Sequence, residues 1–335
     1  MNEMRQNKIT QKWVIYSAAR GKRPHDFSRH GKDGEDVPAF VPTCPFCPGN
    51  EHQTPPTIMQ MSGENGHWQT RVVSNKFPIL RYGDDTTTTD RGVYLSAPAH
   101  GRHEVIIETP RHNEDVPFMS SEHAQTLIET YHRRYVDLAM DDTLRMIFLF
   151  RNRGVSAGTS LAHPHSQLIA TGIVPPRVRA RERSSLAYFE AQGRCGYCDI
   201  LALEAREGQR VIWENDSFLA FVPFAAEVPF EMWIMPRRHQ ADFGALADAE
   251  KAALTETLQE ALVRLCRTAN DPDYNYIVHT ASKEGRHAPH LHWYIQIRPR
   301  IGTEAGFEIG SGMSVNPSCP EEDAAFLRGA TDLHR

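Results

Sequence analysis

His-Glu-Val-Ile-Ile-Glu-Thr-Pro-Arg-His at 103–112 and Phe-Glu-Met-Trp-Ile-Met-Pro-Arg-Arg-His at 230–239 are built alike. Each is a short apolar run with glutamate in second place, closed by proline, a basic residue and histidine. The likeness extends both ways. Upstream stand Cys44-Pro-Phe-Cys47 and Cys195-Gly-Tyr-Cys198; downstream come a helical pattern, an apolar run and a His-x-His, His163-Pro164-His165 or His290-Leu291-His292. His112 and His163 are 51 positions apart, and so are His239 and His290. Self-similarity at this period marks a duplicated unit. Two copies do not make a solenoid, so a pseudo-twofold pair of domains is expected.

Within each copy the periodicity reads as strands, one helix and more strands. Ser120 or Ser121 can cap a helix carrying Leu127, Tyr131, Tyr135 and Leu138 at helical spacing. Asp248 can cap the second, which carries Leu254, Leu258, Leu262 and Cys266. Met146–Phe150, Gln167–Ala170 and Trp293–Ile297 are short apolar runs that read as strands. The class expected is α+β with a mostly antiparallel sheet. Val174-Pro175-Pro176-Arg177 opens the connection between copies, giving domains 1–176 and 177–335. Residues 18–42, rich in Gly, Pro, Arg and Asp, read as loop.

The chain has 335 residues, 40% of them apolar and 24% charged, with a net charge of −5. That length suits two domains or one duplicated domain. The acidic balance and dispersed basic residues argue against nucleic acid as partner. The N-terminus is too polar for a signal peptide, and no run of about 18 apolar residues suggests a membrane span. A cytoplasmic, reducing setting follows as the expectation. Four of the six cysteines form two tight pairs, which points to metal rather than disulfides.

Zinc takes four ligands in a tetrahedron, with thiolate and imidazole as usual donors. A Cys-x-x-Cys turn lets both sulfurs face one ion, and two such turns, each followed by a Pro-Arg run ending in His and then His-x-His, make a strong signal. The repeat nominates Cys44, Cys47, His112 and His163 for one ion. For a second it nominates Cys195, Cys198, His239 and either His290 or His292. His103 is a rival ligand for the first. In a strand, residues i and i+2 share a face, so His163, His165 and Gln167 would line up. His163 could then bind metal while His165 stands free as a nucleophile. Gln167 offers a neutral donor to a phosphoryl oxygen. Upstream, Asn152 to Ser160, with Gly154 and Gly158, reads as a loop whose amides could approach a phosphate. Neither the Walker pattern nor a dinucleotide-binding GxGxxG is present.

These residues resemble the galactose-1-phosphate uridylyltransferase family, a branch of the histidine-triad superfamily. The resemblance spans nearly the whole chain through CPFCPGNE, SNKFP, the Asn152–Gln167 block, VPFAAEVPFEMWIMP and HLHW. It implies two tandem histidine-triad-like domains with a half-barrel sheet, two zinc ions, a homodimer and a role in galactose and carbohydrate metabolism. It also implies a ping-pong reaction. A histidine takes a nucleoside monophosphate from a nucleotide sugar, sugar 1-phosphate leaves, and a second phosphate acceptor collects the nucleotide. Carried over by position, His165 is the nucleophile. Arg20 and Arg23 fall on the phosphate side, Asn75 and Asn152 at the nucleotide, and Ser160 and Gln167 at the phosphoryl group. Two departures stand out: Ser166 replaces the usual glycine, and Cys195/Cys198 replaces a glutamate-and-histidine metal set. Both are similar to the ADP-glucose phosphorylase branch, and that context favours His292 as fourth ligand where the repeat spacing favours His290. The first reading is uridylyl transfer from UDP-glucose to hexose 1-phosphate. The second is adenylyl transfer from ADP-glucose to phosphate. A noncatalytic zinc-stabilised nucleotide-binding protein is the alternative of another class.

Overall fold

The computed structural model describes residues 2–17, 37–63, 66–83 and 87–330. The chain opens with a hairpin of β1 (Glu3–Gln6) and β2 (Trp13–Tyr16). The first copy supplies β3 (Thr57–Ser62), β4 (Trp68–Ser74), a small hairpin β5 (Thr89–Arg91) and β6 (Tyr94–Ser96), β7 (Gly101–Ile107), helix α1 (Ser121–Ala139), β8 (Met146–Arg153) and β9 (His165–Thr171). Helices α2 (Pro176–Gln192) and α3 (Gly196–Glu207) lead to the second copy. It contains β10 (Val211–Glu214), β11 (Phe218–Phe221), β12 (Met232–Pro236), α4 (Asp248–Thr268), β13 (Tyr274–His279) and β14 (Tyr294–Pro299). The short α5 (Gly306–Ser311), β15 (Ser314–Asn316) and α6 (Pro320–Gly329) follow.

Ten of these strands make one antiparallel sheet, ordered β10-β11-β12-β14-β13-β8-β9-β7-β4-β3. From its two edges inward, β10-β11-β12-β14-β13 mirrors β3-β4-β7-β9-β8. The copies meet where β13 pairs with β8, Asn275 opposite Asn152 and Tyr276 opposite Arg151. The duplication in the sequence is therefore a duplication of strand order. The first strand pair of the chain is extended by β15, which lies parallel to β2.

Helices α1 and α4 cover one face of the sheet and pack on each other. The residues read at helical spacing all point inward: Leu127, Tyr131, Tyr135 and Leu138 on α1 and Leu254, Leu258, Leu262 and Cys266 on α4 are buried. Each buried leucine contributes roughly 1.5–3 kcal/mol. Ser120 caps α1, its hydroxyl accepting from the His123 amide at 3.2 Å. Asp248 does not cap α4. It is the first helical residue, its carboxylate is taken by Lys251 at 2.7 Å, and Glu250 reaches back to accept from the Ala247 amide at 2.9 Å.

On the opposite face the two copies differ. In the second, α3 lies over β11, and Tyr197 and Leu201 pack with Leu219, Phe221, Trp233 and Tyr294. In the first, Cys44, Phe46 and Cys47 pack beside Val73, Val105 and Ile107. Val105 pairs with Gln167 and Ile107 with His165, so these two side chains rise on that same face. Among the described residues no helix is long and apolar enough to cross a membrane.

Candidate active site and metal centres

Strand β9 begins at His165, the second histidine of the His-x-His motif, and alternation along it sets the faces of His165 and Gln167; His163, expected on that strand face, lies in the segment just before it. His165 Nδ1 donates to the carbonyl of His163 at 2.8 Å, which leaves the lone pair of Nε2 uncommitted. The ring is mostly buried, 8% exposed, with the edge of Phe46 at a centroid separation of 5.5 Å. Burial holds its pKa below the ordinary imidazole range, so the ring is neutral near pH 7. A neutral imidazole in one tautomer, presenting one nitrogen, is a nucleophile ready for use.

Residues 44, 47, 112 and 163 converge beside it. Cys44 Sγ lies 3.7 Å and Cys47 Sγ 3.6 Å from His163 Nδ1, and Cys47 Sγ lies 3.6 Å from His112 Nδ1. The amides of Phe46 and Val41 point at the two sulfurs, each at 3.4 Å. His163 Nε2 donates to the Thr109 carbonyl at 2.8 Å, which aims Nδ1 at the sulfurs. Burial pushes His163 down to about 4 and also lowers His112, keeping both neutral as ligands must be. The second copy repeats the arrangement. Cys198 Sγ lies 3.3 Å from His239 Nδ1 and 3.6 Å from His292 Nδ1, and His292 Nε2 donates to the Pro236 carbonyl at 2.9 Å. In each group the four donor atoms lie within 4.8 Å of one another, so both sets could hold a metal ion. The choice between His290 and His292 falls to His292; the His290 ring lies against Phe189 instead. With His292 matched to His163, Tyr294 stands where His165 stands in the first copy. Its ring is stacked between Trp233 and His279 at 4.4 and 4.6 Å.

His103 is not a ligand. Its Nδ1 accepts from the Ile79 amide at 3.2 Å and its Nε2 lies 2.7 Å from Gln167 Oε1. Asn75, at the end of β4, sits beside it, with Oδ1 accepting from the Phe77 amide at 2.8 Å. The loop after β8 differs from the sequence expectation. The amide of Ser156 donates to Asp273, those of Ala157 and Thr159 to the Gly154 carbonyl, and that of Gly158 to Val155. Four consecutive amides are thus engaged within the protein rather than offered to a phosphate. Gly154 is required twice over: its φ is +85°, and a Cβ there would sit 1.7 Å from Asp273 Oδ1. Asn152 faces the site side of β8, while Ser160 is exposed near the base of β9. Arg20 and Arg23 lie outside the described residues.

Beneath the strand, on the helix side, Glu108 is fully buried. It accepts from Arg151 Nε at 2.8 Å, from Tyr131 Oη at 2.9 Å and from Ser166. Nothing local in the sequence forecasts this network, because its members come from β8, β9, α1 and the residue just after β7.

The galactose-1-phosphate uridyl transferase N-terminal domain matches residues 1–175 and the corresponding C-terminal domain matches residues 181–335. The chain belongs to the galactose-1-phosphate uridyl transferase family. It is 35% identical to the ADP-glucose phosphorylase of Arabidopsis thaliana over 97% of this chain and 92% of that protein. To the galactose-1-phosphate uridylyltransferase of Thermotoga maritima it is 28% identical over 98% of each. The crystal structure of the Arabidopsis ADP-glucose phosphorylase with bound ADP-glucose superposes with a TM-score of 0.85 at 34% identity, covering 98% of both chains. A uridylyltransferase structure gives 0.76 at 26% identity with full coverage of both. The fold expected from the sequence, tandem domains on a large antiparallel sheet, is the fold of these family members.

Proposed function

We propose that this family member transfers a nucleotidyl group from a nucleotide sugar to a phosphate acceptor through a covalent intermediate on His165, with ADP-glucose as donor and inorganic phosphate as acceptor. The observation that carries the covalent step is the His165 ring itself. It is neutral, tied at Nδ1 to a backbone carbonyl, and set on the sheet face that carries Gln167 with Nε2 engaged by none of the described residues. In the first half-reaction the Nε2 lone pair bonds to the α-phosphorus. The bond from that phosphorus to the bridging oxygen breaks, and glucose 1-phosphate leaves with the electron pair. In the second, an oxygen of phosphate attacks the same phosphorus, the P–N bond breaks, and ADP departs from a neutral His165. Gln167 and Ser160 supply uncharged donors to the phosphoryl oxygens, Asn75 and Asn152 meet the nucleotide, Gly158 keeps the loop tight, and Arg20 and Arg23 meet the phosphates.

The adenine nucleotide is supported by the 35% identity to the Arabidopsis phosphorylase, and Ser166 and the Cys195/Cys198 pair resemble that branch. UDP-glucose with galactose 1-phosphate as acceptor is the second reading, supported by the end-to-end match to the Thermotoga enzyme. Intact mass after incubation with each nucleotide sugar separates them. ADP-glucose should leave an AMP adduct, labile in acid and stable in base, which phosphate discharges. His165→Asn should carry none, and undiminished turnover in that variant would sink the mechanism.

Zinc is the proposed ion at both centres, two per chain. Zn–S near 2.3 Å and Zn–N near 2.05 Å in a tetrahedron place sulfur and nitrogen about 3.6 Å apart, which matches the separations in both groups. The carbonyls that hold His163 and His292 are outer partners of the kind that orient metal-bound imidazoles. Zinc there would supply folding energy and fix the strand end that carries His165. A homodimer in the cytoplasm belongs to the same reading. It is supported by the apolar surface of Phe77, Ile79, Tyr82, Val93, Tyr94 and Leu95, all more than half exposed. Light scattering of the purified protein reports the assembly.

A further inference from the structure

Two amide side chains of the proposed site are each held from within by a residue that no catalytic role has claimed. Asn275 of the second copy faces Asn152 of the first across the β8–β13 seam. Asn275 Nδ2 donates to the Ala157 carbonyl at 2.9 Å and lies 2.8 Å from Asn152 Oδ1. A backbone carbonyl can only accept, so the Asn275 atom facing it is the NH2 group. The Asn152 atom facing that same NH2 is therefore its oxygen, and its own NH2 turns the other way. His103 does the same for Gln167. The Ile79 amide can only donate, so His103 Nδ1 accepts and the ring proton sits on Nε2. That N–H donates to Gln167 at 2.7 Å, which fixes the facing atom as Oε1 and turns the Gln167 NH2 away from His103. Asn75 Nδ2 lies 3.1 Å from the same ring nitrogen; in this tautomer the two are neighbours, not partners.

We infer that His103 and Asn275 are positioning residues that lock the amides of Gln167 and Asn152 donor-outward, so that the site meets the phosphoryl group and the nucleotide with N–H and not with C=O. The inference rests on the nucleotidyl-transfer reading of this site. A primary amide turned by half a revolution has nearly the same shape and the opposite polarity. Unlocked, each would spend part of its time offering oxygen lone pairs to an anion. Four residues on four adjacent strands thus form one row: His103 on β7, Gln167 on β9, Asn152 on β8 and Asn275 on β13. Its outer members orient and its inner members donate. The second copy, whose own equivalent of His165 is Tyr294, contributes to the first copy's chemistry through this row.

The test is a pair of double-mutant cycles on the zinc-loaded full chain, read as the single-turnover rate of nucleotidylation by ADP-glucose and by UDP-glucose. Gln167→Ala should slow that step by about 10²-fold, as the loss of one transition-state donor does. His103→Ala should slow it by about 10-fold in the otherwise native chain and by less than about 2-fold in the Gln167→Ala background, because coupled residues are not additive. His103→Gln, which keeps an N–H donor of similar reach, should recover most of the rate. Asn275→Ala should behave the same way against Asn152→Ala. KM for the nucleotide sugar should move less than kcat in each case. Additive losses, or His103→Ala as fast as the native chain while Gln167→Ala is slow, would overturn the locks and leave the proposed function standing. Gln167→Ala at the native rate would overturn the locks together with the role of Gln167. Zinc content and melting temperature of each variant separate misfolding from misorientation. Should His103→Ala misfold, His103→Gln and the Asn275 cycle decide the matter.

Discussion

Ser166 and His165 are neighbours in sequence that face opposite sides of β9. His165 rises beside the first metal group. Ser166 turns to the helices, where Tyr131 Oη is 2.6 Å away and the fully buried Glu108 accepts its hydroxyl hydrogen. Ser166 is thus a buried donor to a buried acid. Ser166→Gly should fold but lose roughly 1–3 kcal/mol, since a buried acceptor forfeits a donor. Urea unfolding measures this, and a variant as stable as the native chain would show that Arg151 and Tyr131 alone satisfy Glu108. Labelling of His165 should persist, because the change lies on the other face. Alternation along one strand could be read from the sequence, and it put His165 and Gln167 on one face, but His163, expected on the same strand face, precedes the strand. The partners of each face could not. Glu108 is 58 positions from Ser166, and Asn275 is 123 from Asn152.

At the scale of elements, the two Cys-x-x-Cys turns differ in shelter. In the first metal group Cys44, Cys47 and His163 are buried; in the second Cys198 is half-buried and His239 is exposed. A chelator should therefore remove the second ion first, passing through a one-zinc species that still forms the adduct on His165. Metal analysis alongside adduct mass over a chelator series checks the order; loss of the adduct with the first ion released would contradict it. Cys44→Ser should abolish the adduct, since His163 is both a proposed zinc ligand and the residue whose carbonyl orients His165. Helices α1 and α4 were legible because helical spacing is local. For the fourth member of the second group, repeat spacing alone pointed to His290, while the family resemblance favoured His292, which is the residue the structure brings to the cysteines. The second copy carries two more residues between its paired ligands, His239 and His292, than the first does between His112 and His163. The connecting segments absorb that difference while the ligands keep their places, as surface connections generally do.

Across the whole molecule, the chain ends are joined by charge. Arg5 on β1 donates to Glu321 on α6 at 2.9 Å, and Arg210, just before β10, reaches the same carboxylate at 2.8 Å. Burial alone would raise Glu321, but hydrogen bonds from Arg5, Cys319 and Arg210 outweigh it and bring the group down to about 2 from 4.5. A depressed carboxylate stabilises the fold fully above its unfolded value, and that stability is lost as pH falls from about 4.5 through about 2. The amount is about 2 kcal/mol after allowance for partial exposure. Glu321→Gln should flatten the melting temperature between those pH values relative to the native chain; parallel curves would remove Glu321 as the cause of that loss.

The pairing of β8 with β13 joins two edges that would otherwise be bare. A single copy of this unit would end in an open strand with unmet amides and carbonyls, and an open strand recruits another. The seam is therefore the contact that two separate chains of the half-length unit would make with each other, here made permanent by a covalent connection. Cutting the chain between Val174 and Pro175 and producing the pieces together should return a reassembled pair, since the strands, α1 against α4, and Asn275 against Asn152 ask only for proximity. Produced singly, each piece should aggregate along the exposed strand. The second copy, with Tyr294 where the first has His165, is the wall without which the other cannot stand.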